Sequence, residues 1–256
     1  ATYQDETLDG AEALKRAGLT PVVLSSKEGL ILLSGTTSVT AFASLAIYDA
    51  QTLSLTADIA GSFTLEVLKG TLMAMDERLM AVRPHPDQIN TAANIRAILK
   101  DSPMLERYRG HRVQDALSIR CMPQLHGPVK KAIEDAQTTL AIELNSSVDN
   151  PLIFDEEDGG AVALMGYNAA KKAYDSMHLA KYILAAELIC DGQALDCYDD
   201  KRCAKGTQAI YDLLRSKVPE MDNDMPLTPY LEAVAQQIIV GAYIRAVEAS
   251  IGALKF

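Results

Sequence analysis

Polar side chains that could bind a ligand alternate with apolar ones in RVQDALSIRCMPQ, residues 112–124. The potential ligand-binding groups are Gln114, Asp115, Arg120 and Gln124. An arginine can hold a carboxylate through two parallel, charge-assisted hydrogen bonds, and apolar neighbours strengthen that contact by excluding water. The segment therefore predicts either a binding site built on Arg120 or a patch of core in which Arg120 makes a structural salt bridge.

A second group of polar residues lies in ELNSSVDNPLIF, residues 143–154. It follows a predicted helix that stops before Pro151, so Asn145, Asp149 and Asn150 crowd a helix end. Asn and Asp at such positions commonly form turns and caps. A substrate-binding amide is the alternative interpretation for Asn150.

Other patterns for catalysis or metal binding are weak. The histidines show no H-x-x-x-H spacing and no shared acidic partner, so structural roles are expected for them. The cysteines form no C-x-x-C pair, which predicts buried or free thiols and no metal. Ser34 has no evident His and Asp to activate it and is rejected as a nucleophile. The histidines are His85, His111, His126 and His178, and the cysteines are Cys121, Cys190, Cys197 and Cys203.

Composition limits the classes of protein. A chain of 256 residues with 48% hydrophobic content can bury a sizeable core. Its net charge of −10 disfavours nucleic acid and anionic membranes as partners. No apolar run approaches the roughly 20 residues that span a bilayer, and ATYQDETLDG at the start lacks a basic and apolar leader. We therefore expect a soluble, cytoplasmic protein.

Helical periodicity dominates the elements that must position these residues, which predicts an all-α protein with minor β or irregular segments. Ser25 and Glu28 form a capping-box pattern that starts a short helix, and Gly35 can end it. Later helices are expected at about 37–56, 62–82, 86–100, 123–146, 167–197, 206–217 and 228–255. Strands are expected only at 21–24 and 151–154.

Two features of the predicted helices bear on assembly and capping. The helix over 167–197 would be about 45 Å long at 1.5 Å per residue, which suggests a bundle shared between subunits. Pro86 and Pro229 suit a first helical turn, and Thr228 is the expected N-cap before Pro229.

Four segments in this order resemble the histidine and aromatic amino-acid ammonia-lyase family. They are KEGLILLSGT (27–36), RPHPDQI (83–89), RVQDALSIRCMPQLHG (112–127) and ELNSSVDNPLIF (143–154). The resemblance continues through 164–173, 184–196 and 224–238, so it covers nearly the whole chain. RCMPQLHG looks closer to histidine ammonia-lyase than to the phenylalanine enzymes.

The resemblance implies a long-helix bundle of the ammonia-lyase, fumarase/aspartase-like type. It implies non-oxidative elimination of ammonia from an L-amino acid, histidine favoured, by a homo-oligomer, a tetramer in the family. The family uses a methylidene-imidazolone group made from an internal Ala-Ser-Gly, and covalent activation divides a hard step into easier ones. No metal is implied.

The resemblance also assigns residues. Arg120 matches the arginine that binds the substrate carboxylate, and Asn150 matches an asparagine near the substrate and prosthetic group. Gln114 matches a polar member of the site.

The chain departs from the family at site positions. It contains no Ala-Ser-Gly, and the amino-terminal portion that supplies that tripeptide and a catalytic tyrosine loop is missing from it. Leu117 stands where the family has a tyrosine, and Ser34 where it has an asparagine. Leucine has no hydroxyl, and serine is shorter than asparagine and has no amide.

The family pattern is also shortened near 155–164, by a true deletion or by an omitted segment. We expect one helical domain over 1–256. Two hypotheses of function follow: a lyase subunit that binds an amino acid and needs a separate chain bearing Ala-Ser-Gly, or a non-catalytic assembly or regulatory homologue.

Overall fold

The computed structural model describes residues 1–148 and 167–256. The chain divides into two compact units. The first comprises Ala1–Ser38 and Ser146–Gly166, and the second comprises Val39–Asn145 and Tyr167–Phe256. The predictions of a single domain over 1–256 and of a shortening near 155–164 stay predictions, since most of 146–166 is outside the described residues.

The described part of the first unit contains two short strands and two short helices. Strands β1 (Thr2–Tyr3) and β2 (Glu6–Thr7) pair antiparallel. Helix α1 is Gly10–Arg16 and α2 is Glu28–Ser34. The two residues between the strands, Gln4 and Asp5, have φ of 50° and 64°. Such left-handed conformations close a tight hairpin turn.

The capping pattern before α2 is confirmed in part. The Glu28 carboxylate accepts a hydrogen bond from the Ser25 backbone N–H at 2.6 Å, and Gly35 follows the helix as its C-cap. The strand predicted at 21–24 is wrong. Val22 and Val23 are 82% and 91% exposed. Among the described residues no strand lies beside this segment, so its backbone has no ladder to join.

The second unit is built from helices. They are α3 (Thr37–Val67), α4 (Glu77–Ala81), α5 (Pro86–Ile98), α6 (Pro103–Arg107), α7 (Leu117–Arg120), α8 (Met122–Leu144), α9 (Tyr167–Asp196), α10 (Lys205–Arg215), α11 (Thr228–Ile239) and α12 (Ala242–Ile251), with a 3-10 turn at Leu72–Met75. The all-α prediction is confirmed, as are the helices expected near 86–100, 123–146, 167–197 and 206–217. No helix in the described residues is both long and apolar enough to cross a bilayer.

Helix α3 replaces the two helices predicted at 37–56 and 62–82. Helix α3 continues through Gly61. A Cβ at this position would lie 2.4 Å from Met122 Sδ, so the absence of a side chain allows the start of α8 to approach α3. The helix instead ends at Val67, and Lys69, two residues later, has φ of 57°, in the left-handed region.

The helix predicted at 228–255 is divided at Gly241, whose φ is 69°. A residue in the left-handed conformation cannot continue a right-handed helix, so α11 ends before Gly241 and α12 begins after it. Thr228 is the first residue of α11 and not its cap, since Leu227 holds the N-cap position. Helices α1, α6 and α7 are too short to show a clear period and were not predicted.

The core of the second unit lies where α5 packs on α8, α9 on α11, and α10 on α12. Large side chains that are almost fully buried include Phe63, Ile95, Leu188 and Tyr243. In a closely packed protein interior, adding or removing a single carbon atom changes the stability.

Gly206→Ala should lower the free energy of unfolding of the second unit by about 1–3 kcal/mol, the usual cost of overpacking. A Cβ at Gly206 would lie 2.6 Å from the Ile98 carbonyl oxygen and 2.9 Å from its Cα, so backbone must move. Thermal unfolding by circular dichroism measures the effect. Gly29→Ala, whose Cβ would meet only Leu24 at 3.9 Å, is the control. Equal unfolding temperatures for the two variants would contradict the predicted close packing.

Candidate functional site

Helix α7 carries Arg120 and is held at both ends. Before it, the Asp115 carboxylate accepts a hydrogen bond from the Thr71 backbone N–H at 2.7 Å. Ile119 within the helix and Met122 just after it are 6% and 4% exposed. These contacts orient Arg120, which is the last residue of α7, half-buried beside the start of α8.

The structure brings Arg120 and Gln114 together. Arg120 Nη1 donates to Gln114 Oε1 at 2.8 Å. Arg120 Nε is buried and, within the described part of the chain, has no hydrogen-bond partner. No carboxylate among residues 1–148 and 167–256 pairs with this guanidinium, so the described residues do not supply the alternative structural salt bridge. One edge of Arg120 is thus held by an amide and another is unsatisfied.

Arg120 lines a cavity of about 310 Å³. Residues from α4, α5, α7 and α8 and from the segments between them surround it: Ala74, Leu79, Met80, Val82, Arg83, Gln88, Arg120, Cys121 and Gln124. Two of these described residues are arginines and none is Asp or Glu. A cavity with two guanidinium groups and no carboxylate suits an anionic group, in contrast to the acidic chain as a whole.

Gln124 contributes a second unsatisfied atom to this cavity. Its Oε1 is buried and has no hydrogen-bond partner among the residues that the structure describes. Gly127, one turn further along α8, lets α5 approach, since a Cβ there would lie 2.7 Å from Gln88 Cγ. The sequence identified Gln124 as a potential ligand-binding group, but only the fold places it beside Arg120.

Leu117 is not among the residues that line the Arg120 cavity. Leu117 is 63% exposed and presents only carbon atoms. Ser34 is the last residue of α2 in the first unit. Asn150 lies outside the described residues. The roles of Arg120, Gln114 and Asn150 in substrate binding therefore stay predictions.

A buried polar group on α3, α5 and α8 was not predicted. Asp58 Oδ2 accepts from Lys130 Nζ at 2.6 Å and from Asn94 Nδ2 at 2.8 Å. Its Oδ1 lies 2.8 Å from His126 Nδ1. The sequence analysis expected a structural role for His126 but did not predict its contact with Asp58. The i, i+4 spacing of His126 and Lys130 was the available signal, since such residues share one helix face.

Electrostatics support an ionised Asp58. Burial raises the pKa of this carboxyl, but the hydrogen bond from His126 and the charge and hydrogen bond of Lys130 outweigh burial and lower the pKa below its usual value. The Asp58 group lies outside the residues that line the Arg120 cavity.

A second unpredicted group joins α3 and α9. Thr64 Oγ1 lies 2.8 Å from both Glu187 Oε1 and Asp191 Oδ2. A hydroxyl has one proton to donate, so these contacts require one carboxyl to be protonated and to donate in return. Burial, aided by the charge of Glu187 and opposed by the Thr64 hydrogen bond, raises the pKa of Asp191 to about 8. Asp191 is therefore the protonated member near neutral pH.

The cysteines are free thiols, as predicted, with Cys190 and Cys197 exposed. Within the described ranges no three His, Cys, Asp or Glu side chains are grouped to hold a metal ion.

Comparison with solved structures defines the class of fold. Tyrosine aminomutase from Streptomyces globisporus matches 97% of this chain and 69% of its own, with a TM-score of 0.86 and 22% identity. Histidine ammonia-lyase from Trypanosoma cruzi matches 96% of this chain and 64% of its own, with a TM-score of 0.82 and 22% identity. The fold is that of the ammonia-lyases and aminomutases.

Sequence comparison gives the family. The profile described as aromatic amino acid lyase matches residues 1–164. Histidine ammonia-lyase of Alkaliphilus oremlandii is 31% identical over 342 residues, covering 98% of this chain and 68% of that protein. That of Sorangium cellulosum is 47% identical over 171 residues, 66% of this chain and 33% of that protein. The chain belongs to the aromatic amino acid lyase family, and its resemblance to histidine ammonia-lyases is confirmed.

The alignment with the Alkaliphilus protein is longer than this chain. The match to the Alkaliphilus protein extends over 342 residues, whereas this chain has 256. The alignment therefore includes residues of the relative that have no counterpart here.

Proposed function

We propose that this chain supplies the carboxylate-binding part of an amino-acid ammonia-lyase site, as a subunit that needs another chain to provide the electrophile. The observation that carries the proposal is the buried Arg120 Nε, which has no partner among the described residues, on a residue that lines a cavity whose described lining includes two arginines and no acid. Leaving a buried donor unpaired costs about 1–3 kcal/mol. A substrate carboxylate that accepts from Nε would remove that cost.

Histidine is the proposed substrate. The support is similarity: the relatives quoted above from Alkaliphilus and Sorangium are named histidine ammonia-lyases. The elimination reaction is proposed on the same ground.

The family's methylidene-imidazolone group does not fit the residues of this chain. The 256 residues contain no Ala-Ser-Gly from which to form it. Leu117 presents no polar atom at the position where the family has a tyrosine, and it is 63% exposed. In the proposal another polypeptide carries the group, while Arg120 binds and orients the amino acid by its carboxylate and Gln114 holds the guanidinium.

A non-catalytic assembly or regulatory homologue is the second candidate. Leu117 favours it, because a partner chain cannot restore a hydroxyl to this position. It shares the amino-acid site with the first candidate but predicts binding without turnover.

Oligomerisation is part of both proposals, as a homo-oligomer or as a complex with a separate chain. Apolar side chains on α3 and α9 are exposed, with Tyr48 at 62%, Leu179 at 69% and Ile183 at 72%. Exposed apolar residues of this size, such as Leu179 and Ile183 four positions apart on α9, are typical of surfaces that another subunit covers.

Arg120→Met should weaken binding of L-histidine at least tenfold, measured by isothermal titration calorimetry. Hydrogen bonds to charged groups contribute about 1.5–3 kcal/mol, and 1.4 kcal/mol is a factor of ten. Arg202→Met is the control, since that side chain is 73% exposed and pairs with Asp200. Equal affinities of the two variants would contradict the role of Arg120.

Turnover separates the two candidates. The chain, alone and mixed with an Ala-Ser-Gly-bearing homologue, is given L-histidine while urocanate absorbance is followed. Activity only in the mixture supports the lyase subunit. Histidine binding without turnover in a confirmed complex supports the non-catalytic homologue.

A further inference from the structure

We infer that Gln124 determines specificity in the Arg120 cavity, where its side-chain carbonyl accepts a hydrogen bond from the α-ammonium group of an amino acid whose carboxylate binds Arg120. The inference rests on the proposed function, because it takes Arg120 as the carboxylate-binding residue. It adds that the cavity recognises both charged groups of the ligand.

Two residues that line the cavity carry unsatisfied atoms of opposite hydrogen-bonding character. Arg120 Nε is a donor and Gln124 Oε1 an acceptor, and both are buried without a partner among the described residues. Both residues line the same cavity. A ligand that presents one acceptor and one donor satisfies both atoms at once, and each buried unpaired group otherwise costs about 1–3 kcal/mol.

The positions of the two residues match a ligand whose two groups lie close together. Arg120 ends α7, and Gln124 is the third residue of α8. In an α-amino acid the carboxylate and the ammonium group are attached to the same carbon. The cavity volume, about 310 Å³, is at the small end of ligand sites and suits a molecule of this size.

The neutrality of Gln124 is a functional requirement in this arrangement. Arg83 and Arg120 make the cavity cationic, so an ammonium group needs an acceptor there. A carboxylate at this position would pair with Arg120 and withdraw it from the ligand. An amide carbonyl accepts from the ammonium group without competing for Arg120 in this way.

Calorimetry with the intact chain tests the inference, using L-histidine, 3-(imidazolyl)propanoate, which lacks the amino group, and histamine, which lacks the carboxylate. Wild type should bind L-histidine about tenfold tighter than the propanoate, because the α-ammonium group adds one charge-assisted hydrogen bond to Gln124. Gln124→Met should abolish this preference and leave propanoate binding unchanged. Gln124→Glu should weaken binding of both carboxylate ligands, since the introduced side-chain carboxylate would neutralise Arg120.

The controls separate the inference from the proposed function. Gln137→Met, also on α8, removes an amide that bonds Gln51 at 2.8 Å and should preserve the preference. Arg120→Met should weaken binding of both carboxylate ligands. If neither carboxylate binds folded wild type, or Arg120→Met leaves both unchanged, the proposed function is overturned and the inference with it. If both bind wild type equally, or Gln124→Met retains the preference, only the inference is overturned.

Discussion

Replacing Lys130 by methionine is expected to lower the free energy of unfolding by about 3–5 kcal/mol, the usual cost of removing one partner from a buried ion pair. Lys130 and Asp58 have fully buried side chains, and Lys130 Nζ lies 2.6 Å from Asp58 Oδ2. Without the ammonium group, the Asp58 carboxylate keeps His126 and Asn94 as its hydrogen-bond partners among the described residues. A carboxylate in the core is then left without its full counter-charge.

The same substitution should loosen the segment around Lys255. Lys130 Nζ donates to the Lys255 carbonyl at 3.2 Å, and Asn94 donates to that carbonyl at 2.7 Å and accepts from the Lys255 N–H at 2.8 Å. Faster amide hydrogen exchange at Lys255 would report the loss, because exchange follows local opening.

Urea unfolding of three variants isolates the charge effect. Lys131→Met is the matched control, since this neighbouring lysine is 54% exposed and pairs with Asp135 at the surface. Exposed pairs contribute about 0–1 kcal/mol. The double variant Lys130→Met/Asp58→Asn should recover part of the loss, because no buried charge remains. A Lys130→Met effect as small as that of Lys131→Met would refute the buried pair.

Raising the pH from 5 to 9 is expected to destabilise the wild type relative to Asp191→Asn by up to about 4 kcal/mol, at 1.36 kcal/mol per pKa unit. Burial, aided by the charge of Glu187, raises the pKa of Asp191 from 3.8 to about 8. The folded state therefore holds this proton more tightly than the unfolded state. The stability that the proton provides is complete below the unfolded pKa, declines as the pH rises, and is lost once the pH exceeds the folded pKa.

The contact geometry provides the physical reason. Thr64 Oγ1 lies 2.8 Å from Asp191 Oδ2 and from Glu187 Oε1. If both carboxyls were ionised, their two negative charges would repel each other and share a single hydroxyl proton, so ionisation of both is unfavourable. An asparagine at 191 donates to Thr64 at every pH.

Chemical denaturation at pH 5, 7 and 9 measures the effect as a difference between variants, which removes the titration of other groups. Asp175→Asn, an exposed position on the same helix, is the control and should show little pH dependence relative to wild type. A difference between wild type and Asp191→Asn that stays constant from pH 5 to 9 would show that Asp191 is already ionised in the folded state.

Much of the fold follows from local features of the sequence. Pro86 at the start of α5 and the apolar period of α8 and α9 predict those helices, since these signals act within one turn. Errors occurred where a distant contact decides the outcome. Two helices were predicted at about 37–56 and 62–82, yet α3 runs through Gly61, where the absence of a Cβ leaves room for Met122.

The candidate site shows the same division. The residues around Arg120 and their order along the chain indicate the family and predict that Arg120 binds a carboxylate, because sequence motifs record side-chain identity. The absence of Ala-Ser-Gly and the leucine at 117 are equally visible in the sequence.

Only the tertiary structure places Gln124 beside Arg120 at one cavity, and only it shows that Asp58 and Lys130 are fully buried as a pair. The physical reason is that a hydrogen bond or charge pair depends on distance and burial. Asp58 and Lys130 are 72 positions apart, and α3 and α8 must pack before either has a partner. Side-chain chemistry was therefore determined by the sequence alone, whereas the partners and protonation states were decided by packing.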